Sequence, residues 1–230
     1  MSFVTAIIVA AGNSSRMNGI DKQLLIIDKI PVIARSTLAF QNNDLVDSIV
    51  IVTRPDLIDE IKSIISTYKL DKVINVVAGG DSRAQSVING INAFSDTDCL
   101  LIHDGARPFI SNDDITAVIK ASERFGAAAL AKTVTDTVKI VDNENMIKST
   151  IDRDYVRLMQ TPQVFKKSIY LDAVNKAEDL SCITDDCMLV ENAGYNIKIV
   201  DSKGFNIKIT TPDDINIANE YLRSQNKWSE

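Results

Sequence analysis

Short apolar segments recur along the chain and predict the strands of a buried sheet. They are rich in β-branched residues or in alanine, and they lie at Phe3–Ala10, Ser48–Thr53, Val73–Ala78, Cys99–His103 and Ala127–Thr133. Near-continuous apolar runs of this kind are typical of parallel strands that helices cover on both faces. The segments therefore predict a central, mostly parallel sheet.

Between these strands the apolar residues follow helical spacing. Over Asp56–Tyr68 they recur at i, i+3 and i+4, which is the stripe of an amphipathic helix. Comparable helices are predicted over Pro31–Asn42, Ser82–Phe94 and Asn112–Phe125. Because strands and helices alternate repeatedly, we predict an α/β fold with a doubly wound sheet.

The alternation is interrupted after Thr133. Thr137–Val141 and Met146–Ile151 flank the polar segment Asp142–Asn145, a connection of hairpin length. We predict a β-arm over about 134–158 that projects from the sheet. The alternation then resumes, within what we interpret as one domain over 1–230, with helices near 166–179, from 184 and near 212–222 and a strand at 196–200.

The composition and charge of the chain exclude several classes of protein. Its 25 basic and 31 acidic residues give a formal net charge of −6 at pH 7, so counterion release offers no overall gain in binding nucleic acid. The single histidine, His103, excludes zinc sites with two or three histidine ligands. Three cysteines without regular spacing indicate a reducing compartment, and no apolar run reaches the roughly 20 residues of a membrane span. We expect a cytoplasmic protein with no nucleic-acid or membrane partner.

The loop after the first strand has the composition of a phosphate-binding loop. Ala10, Ala11 and Gly12 are followed by Arg16 and Lys22. Ligands of α/β sheets collect at the carboxyl ends of the strands, and small residues let backbone N–H groups approach anionic oxygens. The spacing leaves two interpretations open: a phosphate site with two cations aimed at it, or a plain strand-to-helix turn with solvated cations.

Two further loops follow predicted strands of the same sheet. Gly79–Arg83 comes after the third strand and opens a helix, where its glycines allow close approach of a ligand and Asp81 or Ser82 can cap the helix. His103–Pro108 comes after the fourth strand and contains the carboxylate of Asp104. A carboxylate at that place is suited to a metal or a sugar hydroxyl, although it could simply pair with an arginine across the turn.

Two other polar residues have more than one interpretation. Lys208, on a predicted strand before the closing helix, could face the same crevice or lie on the surface. We interpret His103, at the end of a buried strand, as a hydrogen-bonded core residue rather than a catalytic base.

Together these segments resemble the 2-C-methyl-D-erythritol 4-phosphate cytidylyltransferase family, nucleotidyltransferases with a Rossmann-like, doubly wound, mostly parallel sheet. The matching motifs, in chain order, are Ala-Ala-Gly…Arg-Met…Lys-Gln at 10–23, Gly-Gly-Asp-Ser-Arg at 79–83, His-Asp-Gly-Ala-Arg-Pro at 103–108, Asp-Thr-Val at 136–138, Asp-Arg at 152–153, Gln-Thr-Pro-Gln at 160–163, Thr-Asp-Asp at 184–186 and Asn-Ile-Lys-Ile-Thr at 206–210. The resemblance implies transfer of CMP from CTP to a sugar-alcohol phosphate with release of pyrophosphate.

The resemblance also implies roles for individual residues. Those implied as catalytic are Arg16, Lys22, Arg153 and Lys208. Those implied as nucleotide-binding are Ala10, Ala11, Gly12, Gly80, Asp81, Ser86 and Ala106. Those implied as substrate-binding are Asp104, Arg107, Thr137, Thr161 and Thr184. Mg²⁺ would be held mainly by the CTP phosphates, without a protein ligand set. The family also implies a homodimer in which Arg107, Thr137 and Arg153 serve the partner's site through the arm.

Two positions depart from the family pattern, and one alternative activity stays open. Asp21 and Leu24 stand where the family usually has a proline and an aromatic residue. The sister enzyme ribitol-5-phosphate cytidylyltransferase shares most of the motifs, and fold does not determine substrate. Ala10–Gly12 and Thr150–Arg153 look more like the methylerythritol branch, whereas the motif at 206–210 fits both.

Two other classes of function fit the sequence less well. A nucleotide-binding module without catalysis would be expected to lose charged groups that act only in the transition state. This chain keeps Arg16 and Lys22, so that class fits less well. A dinucleotide oxidoreductase would need a glycine fingerprint in the first loop, and this chain has none there.

Overall fold

A seven-stranded sheet forms the centre of the computed structural model, which describes residues 2–12 and 21–227. The strands of the described residues are β1 (Val4–Val9), β2 (Ile26–Ile27), β3 (Ile30–Pro31), β4 (Ser48–Thr53), β5 (Val73–Ala78), β6 (Cys99–Asp104), β7 (Ala127–Thr133), β8 (Val138–Val141), β9 (Ile147–Ile151), β10 (Arg157–Lys166) and β11 (Lys198–Asp201). The spatial order in the main sheet is β11-β7-β10-β6-β1-β4-β5. All neighbouring pairs are parallel except those that β10 makes with β6 and β7.

Helices cover both faces of this sheet, as the apolar pattern predicts. They are α1 (Val32–Gln41), α2 (Ile58–Tyr68), α3 (Arg83–Ile91), α4 (Asn112–Phe125), α5 (Lys167–Lys176), α6 (Asp186–Asn192) and α7 (Pro212–Lys227). Successive residues of β1 face opposite sides of the sheet and pack in different cores. Ile8 packs in the cluster formed with α1, α2 and α4, and Ile7 packs in the cluster formed with α3, α5 and α6. The doubly wound α/β fold is confirmed. In the described part of the chain no helix is long and apolar enough to cross a membrane.

The strand β10 is the main element that the sequence does not predict. Its ten residues include Pro162, and a proline within an apolar run argues against a central strand. The sheet accommodates this proline at an irregularity, because the pairing with β7 shifts register between Met159 and Gln163. The peptide bond between Thr161 and Pro162 is cis. The irregularity turns Thr161 towards the end of β6, where its hydroxyl accepts a hydrogen bond from the N–H of Asp104 at 3.0 Å.

The predicted arm is present as a separate antiparallel pair. β8 and β9 pair from Val138 with Ile151 onward and form no part of the main sheet. Arg157 and Leu158 already pair with β7, so the segment outside the main sheet is 134–156, which is called the arm below. The arm is the least buried part of the described chain that carries regular structure, with every residue of β9 except Ile151 exposed.

Lys208 does not lie on a strand, which corrects the prediction for that segment. Residues 202–210 have no regular secondary structure. Side chains hold this segment in place: Asp114 accepts hydrogen bonds from the N–H groups of Lys203 and Gly204, both at 3.3 Å, and Asn206 donates to the carbonyl of Thr161 at 2.9 Å. Two backbone hydrogen bonds also hold it, from the N–H of Ser202 to Ala131 at 2.7 Å and from the N–H of Ile209 to Ala106 at 2.8 Å, but the segment forms no strand of its own.

Candidate active site

The carboxyl ends of the parallel strands bring the predicted loops together. β1 and β6 run side by side, so that Val9 is opposite Asp104, and the N–H of Gly105 donates to the carbonyl of Val9 at 2.8 Å. On the other side of β1 the N–H of Ala10 donates to Val52 at 2.7 Å. The N–H of Gly79 donates to Thr53 at 2.8 Å, which draws the Gly79–Arg83 loop to the same edge.

One cavity of about 560 Å³ lies between these loops and is called the glycine cavity. Its lining includes Ala11, Gly12, Gly80, Asp81, Ser86 and Ala106, six of the seven residues expected to bind the nucleotide. The seventh, Ala10, is buried and does not line the cavity. The hydroxyl of Ser86 accepts a hydrogen bond from the N–H of Gly80 at 3.1 Å and donates to the carbonyl of Ser82 at 2.9 Å, so it shapes the loop from within.

Gly79 is needed because the two loops touch. A Cβ atom at this position would lie 2.3 Å from the Cβ of Ala11 and 2.9 Å from the hydroxyl oxygen of Ser86. A side chain at position 79 would push the loop after β1 away from the loop after β5. Contact between the loops thus requires a glycine at 79, whereas a Cβ at Gly12 would meet nothing within 4 Å, so that position leaves room for a ligand.

A second cavity of about 760 Å³ adjoins the first and is called the threonine cavity. It is lined by four of the five residues expected to bind the substrate, namely Asp104, Arg107, Thr161 and Thr184. Asp104, Lys208 and Arg83 line both cavities, so the two are connected at this cluster. The two cavities together are called the crevice.

The carboxylate of Asp104 is surrounded by three cations. The Nζ of Lys208 lies 2.8 Å from Oδ2, the Nε of Arg107 lies 3.4 Å from Oδ2, and the Nε of Arg83 lies 3.6 Å from Oδ1. Burial alone would raise the pKa of Asp104, but these charges outweigh it and hold the pKa well below its usual value. Asp104 is therefore ionised and fixes the cations at the junction of the two cavities.

His103 is a buried structural residue, as interpreted from the sequence. Its Nε2 lies 3.1 Å from the carbonyl oxygen of Arg107, which can only accept, so Nε2 carries the proton. Its Nδ1 then accepts from the hydroxyl of Thr161 at 3.1 Å. Burial lowers the pKa of His103 to about 4, so the ring is neutral at pH 7. The ring orients Thr161 and has no ring nitrogen left for proton transfer.

Arg83 and Asp186 form a partly buried ion pair that sequence reasoning did not place at the site. Asp186 is the first residue of α6, and the guanidinium of Arg83 donates to its Oδ2. The hydroxyl of Tyr170 donates to its Oδ1 at 2.8 Å. Both residues end motifs noted in the sequence, at 79–83 and 184–186, but nothing in their spacing indicates that they pair. Burial would lower the pKa of Arg83, and the two carboxylates raise it instead, which keeps the guanidinium charged.

Lys22 lines the glycine cavity, and the departure at Asp21 has a structural explanation. One oxygen of Asp21 lies 2.6 Å from the guanidinium of Arg54, and the other accepts from the N–H of Gln23 at 2.8 Å. The carboxylate of Asp21 is therefore paired with Arg54, which directly follows β4. Leu24 packs against the core on the side of α1. Arg16 lies outside the described residues.

The remaining predicted residues lie on the arm or depart from their expected place. Thr137 and Arg153 are exposed, line neither cavity, and Arg153 donates to the carbonyl of Thr135 at 2.5 Å. Arg107 was expected to serve a partner's site together with them. Instead its side chain lies in its own chain's crevice, held by Asp104 and by the carbonyl of Asn206 at 2.8 Å.

The fold and the crevice define a class of protein. A doubly wound sheet with small residues at the ends of its first strands is the architecture of Rossmann-like nucleotide-binding proteins. A second cavity joined to the first through cations leaves room for an anionic second ligand beside a nucleotide. The class is a nucleotidyltransferase.

Comparison with known proteins identifies the family. The chain matches the family model of 2-C-methyl-D-erythritol 4-phosphate cytidylyltransferase (IspD) over residues 4–224. Relatives of that name are 39% identical over 223 residues in Clostridium tetani (96% of this chain, 91% of the relative) and 40% identical over 225 residues in Caldanaerobacter subterraneus subsp. tengcongensis (96% and 99%). The crystal structure of the 4-diphosphocytidyl-2C-methyl-D-erythritol synthase from Anaerococcus prevotii matches with a TM-score of 0.85 at 33% identity and 96% coverage of both chains. This chain belongs to the 2-C-methyl-D-erythritol 4-phosphate cytidylyltransferase family.

Proposed function

We propose that this protein transfers CMP from CTP to 2-C-methyl-D-erythritol 4-phosphate, releasing pyrophosphate. The observation that carries this proposal is the junction of the two cavities at Asp104, Lys208 and Arg83. A nucleotide in the glycine cavity and a sugar phosphate in the threonine cavity would bring their phosphates together at this cluster. Family membership over nearly the whole chain supports the same reaction.

The chemistry needs positioned positive charge more than it needs a base. The phosphate oxygen of the acceptor is already an anion, so it can attack the α-phosphorus of CTP in line without losing a proton. Charge then grows on the oxygens around phosphorus and on the departing pyrophosphate. Lys22 lines the glycine cavity and Lys208 lines both cavities, which puts one cation on the nucleotide and one at the junction. The buried neutral ring of His103 fits a mechanism without a histidine base.

The charge balance of the junction suits two anionic ligands. Three cations, Lys208, Arg107 and Arg83, face the two carboxylates Asp104 and Asp186. One positive charge is left over at a partly water-excluded place where electrostatic interactions are strong. The positive excess continues on the wall of the glycine cavity, where Lys22, Arg54, Arg83 and Lys208 face Asp81 and Asp104, whereas the wall of the threonine cavity has three cations and three carboxylates. The excess on the nucleotide side is what can attract a triphosphate to a chain with a net charge of −6.

Mg²⁺ is expected to arrive with the triphosphate. Among the described residues no group of three His, Cys, Asp or Glu side chains could hold a metal ion. Asp104 already faces three cations, which leaves Asp81 as the other carboxylate on the wall of the glycine cavity. This donor set fits an ion that keeps most of its ligands from phosphate oxygens and water. When bound, the ion would neutralise part of the triphosphate charge.

The arm is proposed to pair two copies of the chain. A two-stranded hairpin is marginal in water by itself, and burial against a second copy would stabilise it. Its apolar side chains support this role, since Met146, Ile147 and Tyr155 are exposed by 62%, 65% and 88%. In such a homodimer Thr137 and Arg153 would reach the crevice of the partner.

Pyrophosphate release tests the reaction and its substrate in one assay. The purified protein is given CTP and Mg²⁺ with 2-C-methyl-D-erythritol 4-phosphate or with ribitol 5-phosphate. We expect release only with the first acceptor. Release only with ribitol phosphate, or with neither acceptor from folded protein that binds CTP, would contradict the proposed substrate. Replacing CTP by ATP serves as the control for the nucleotide and should give no release.

A further inference from the structure

Arg83 is the only described arginine that lines both cavities of the crevice. Its backbone ends the Gly79–Arg83 loop at the glycine cavity and begins α3. Its side chain leaves that loop and reaches Asp186 on α6, with Asp104 on the other side of the guanidinium. One residue therefore connects the loop that faces the nucleotide with two elements that face the sugar phosphate.

The first residues of α6 form the wall of the threonine cavity. Asp185 caps the helix by accepting from the N–H of Met188 at 2.9 Å, and Thr184 precedes it on the cavity wall. Gln163 of β10 fixes the same turn from below, because its amide donates to Asp185 at 2.9 Å and accepts from the N–H of Cys187 at 3.1 Å. Arg83 is the contact that joins this turn to the opposite side of the crevice.

We propose that Arg83 is a positioning residue that couples the two ligand sites, so that a nucleotide in the glycine cavity raises the affinity of the threonine cavity for the sugar phosphate. The inference rests on the proposed function and adds a role for one residue. The side chain of Arg83 is 26% exposed. A bound nucleotide covers it and removes water from both of its ion pairs. Ion pairs in a less polar surrounding are stronger, so the α6 turn is held more tightly to Arg83.

Prior ordering of this wall lowers the cost of binding the second ligand. A sugar phosphate that meets an ordered Thr184 loses less conformational entropy of the protein than one that must order this exposed residue itself. Coupling of this kind between two sites is typically a factor of about 5–150 in affinity, and it is the same in both directions. The sugar phosphate must therefore raise the affinity for the nucleotide by the same factor.

The experiment measures the coupling factor directly by calorimetry. The dissociation constant of 2-C-methyl-D-erythritol 4-phosphate is determined twice, without nucleotide and with a saturating CTP analogue. In this analogue a methylene group bridges the α- and β-phosphorus atoms, which prevents transfer. For the unchanged protein we expect at least about fivefold tighter binding in the presence of the analogue, within the usual range of such couplings. The reverse titration has to give the same factor.

The variant Arg83→Lys keeps the charge but has a single ammonium in place of a planar fork. It can pair with Asp104 or with Asp186 and cannot hold both, so the coupling factor should fall to about one. Arg54→Lys is the matched control. Arg54 also lines the glycine cavity and also contacts two carboxylates, Asp21 and Asp56, but it does not reach the threonine cavity. Its coupling factor should equal that of the unchanged protein.

A double variant separates coupling from mere support of the fold. Arg83→Gln with Asp186→Asn replaces the partly buried ion pair by two neutral amides, which avoids an uncompensated buried carboxylate. Its thermal stability should exceed that of Arg83→Gln alone, while the coupling factor stays near one. A coupling factor in Arg83→Lys or in the double variant equal to that of the unchanged protein would overturn the proposal, and so would an unchanged protein with no coupling. An unchanged protein that binds no CTP analogue would instead refute the proposed function.

Discussion

The crevice and the arm differ in where their side chains find partners. In the crevice Asp104 meets three cations of its own chain, and His103 uses both ring nitrogens within 3.1 Å. In the arm Ile147 and Tyr155 have no such enclosure and stand largely in water. The crevice is built to hold its charges in place before a ligand arrives, whereas the arm presents a surface that a second molecule can cover.

This difference separates two kinds of effect that a substitution can have. A change in the crevice acts on chemistry or on local stability within one chain. A change in the arm acts through association, and it alters catalysis only if the arm completes a partner's site. The following predictions test that separation, beginning with the largest expected effect.

Removal of the Lys22 charge should affect the chemical step most strongly. Lys22→Ala is expected to lower kcat by about 10²–10³-fold, because its charge is needed most when the phosphates become more negative in the transition state. The dissociation constant for CTP should rise by less than about tenfold. Single-turnover kinetics and calorimetry measure the two effects separately. Lys62→Ala, which removes an exposed lysine from α2, is the control and should leave both unchanged.

The outcome that contradicts this role is the reverse pattern. A tenfold or larger rise in the dissociation constant with an unchanged kcat would make Lys22 a binding residue only. The catalytic cation of the crevice would then have to be a residue other than Lys22.

Acid should weaken the fold through the crevice before it affects the arm. The folded pKa of His103 is lowered to about 4 from an ordinary value of 6.5, so its contribution to stability is present above pH 6.5 and is lost as the pH falls towards 4. Between pH 7 and pH 5 this linkage costs about 2 kcal/mol of unfolding free energy. Asp104 stays ionised over that range because its pKa lies well below its usual value.

Urea denaturation at pH 7 and pH 5 measures this loss. His103→Gln should show a smaller difference between the two pH values, since glutamine does not titrate. An equal pH dependence in the two proteins would show that other groups control acid stability. That result would remove His103 from the account of why the crevice is rigid.

The two regions also differ in how far they could be predicted from sequence. The loops at 10–12, 79–83 and 103–108 converge as expected, because apolar strands place their carboxyl ends along one edge. The pairing of Arg83 with Asp186 spans 103 positions and depends on how α3 and α6 pack, which local patterns do not contain. β10 was missed because Pro162 interrupts its apolar character. Lys208 was misplaced because side chains and single backbone hydrogen bonds, not a strand ladder, hold its segment.

Removal of the Arg153 charge should affect the partner's site more than its own. In a homodimer completed by the arm, Arg153→Ala is expected to raise the KM for the sugar phosphate by about tenfold, the loss of one charge-assisted contact. Mixing it with Lys22→Ala should restore activity. After random exchange of subunits about a quarter of all sites should be intact, because half of the dimers are mixed and one of the two sites in each mixed dimer is complete.

The control for this mixing experiment is a second charge on the arm. Lys148→Ala removes an exposed lysine that pairs with Asp142 at 3.1 Å near the hairpin turn, and it should leave the KM unchanged. Exchange of subunits is verified with differently tagged proteins. Exchange without any recovery of activity would show that each crevice is completed by its own chain.

The apolar side chains of the arm should control association with the smallest effect on the fold. Ile147 and Ile26 are both exposed isoleucines on two-stranded pairs, at 65% and 56%, but only Ile147 lies on the arm. Ile147→Lys is expected to weaken the dimer by about tenfold or more, since a charge enters the covered surface, while the unfolding free energy changes by less than about 0.5 kcal/mol. Ile26→Lys should leave association unchanged. Sedimentation velocity across a concentration series distinguishes the two variants, and equal behaviour of both would mean that the arm is not the surface on which two copies meet.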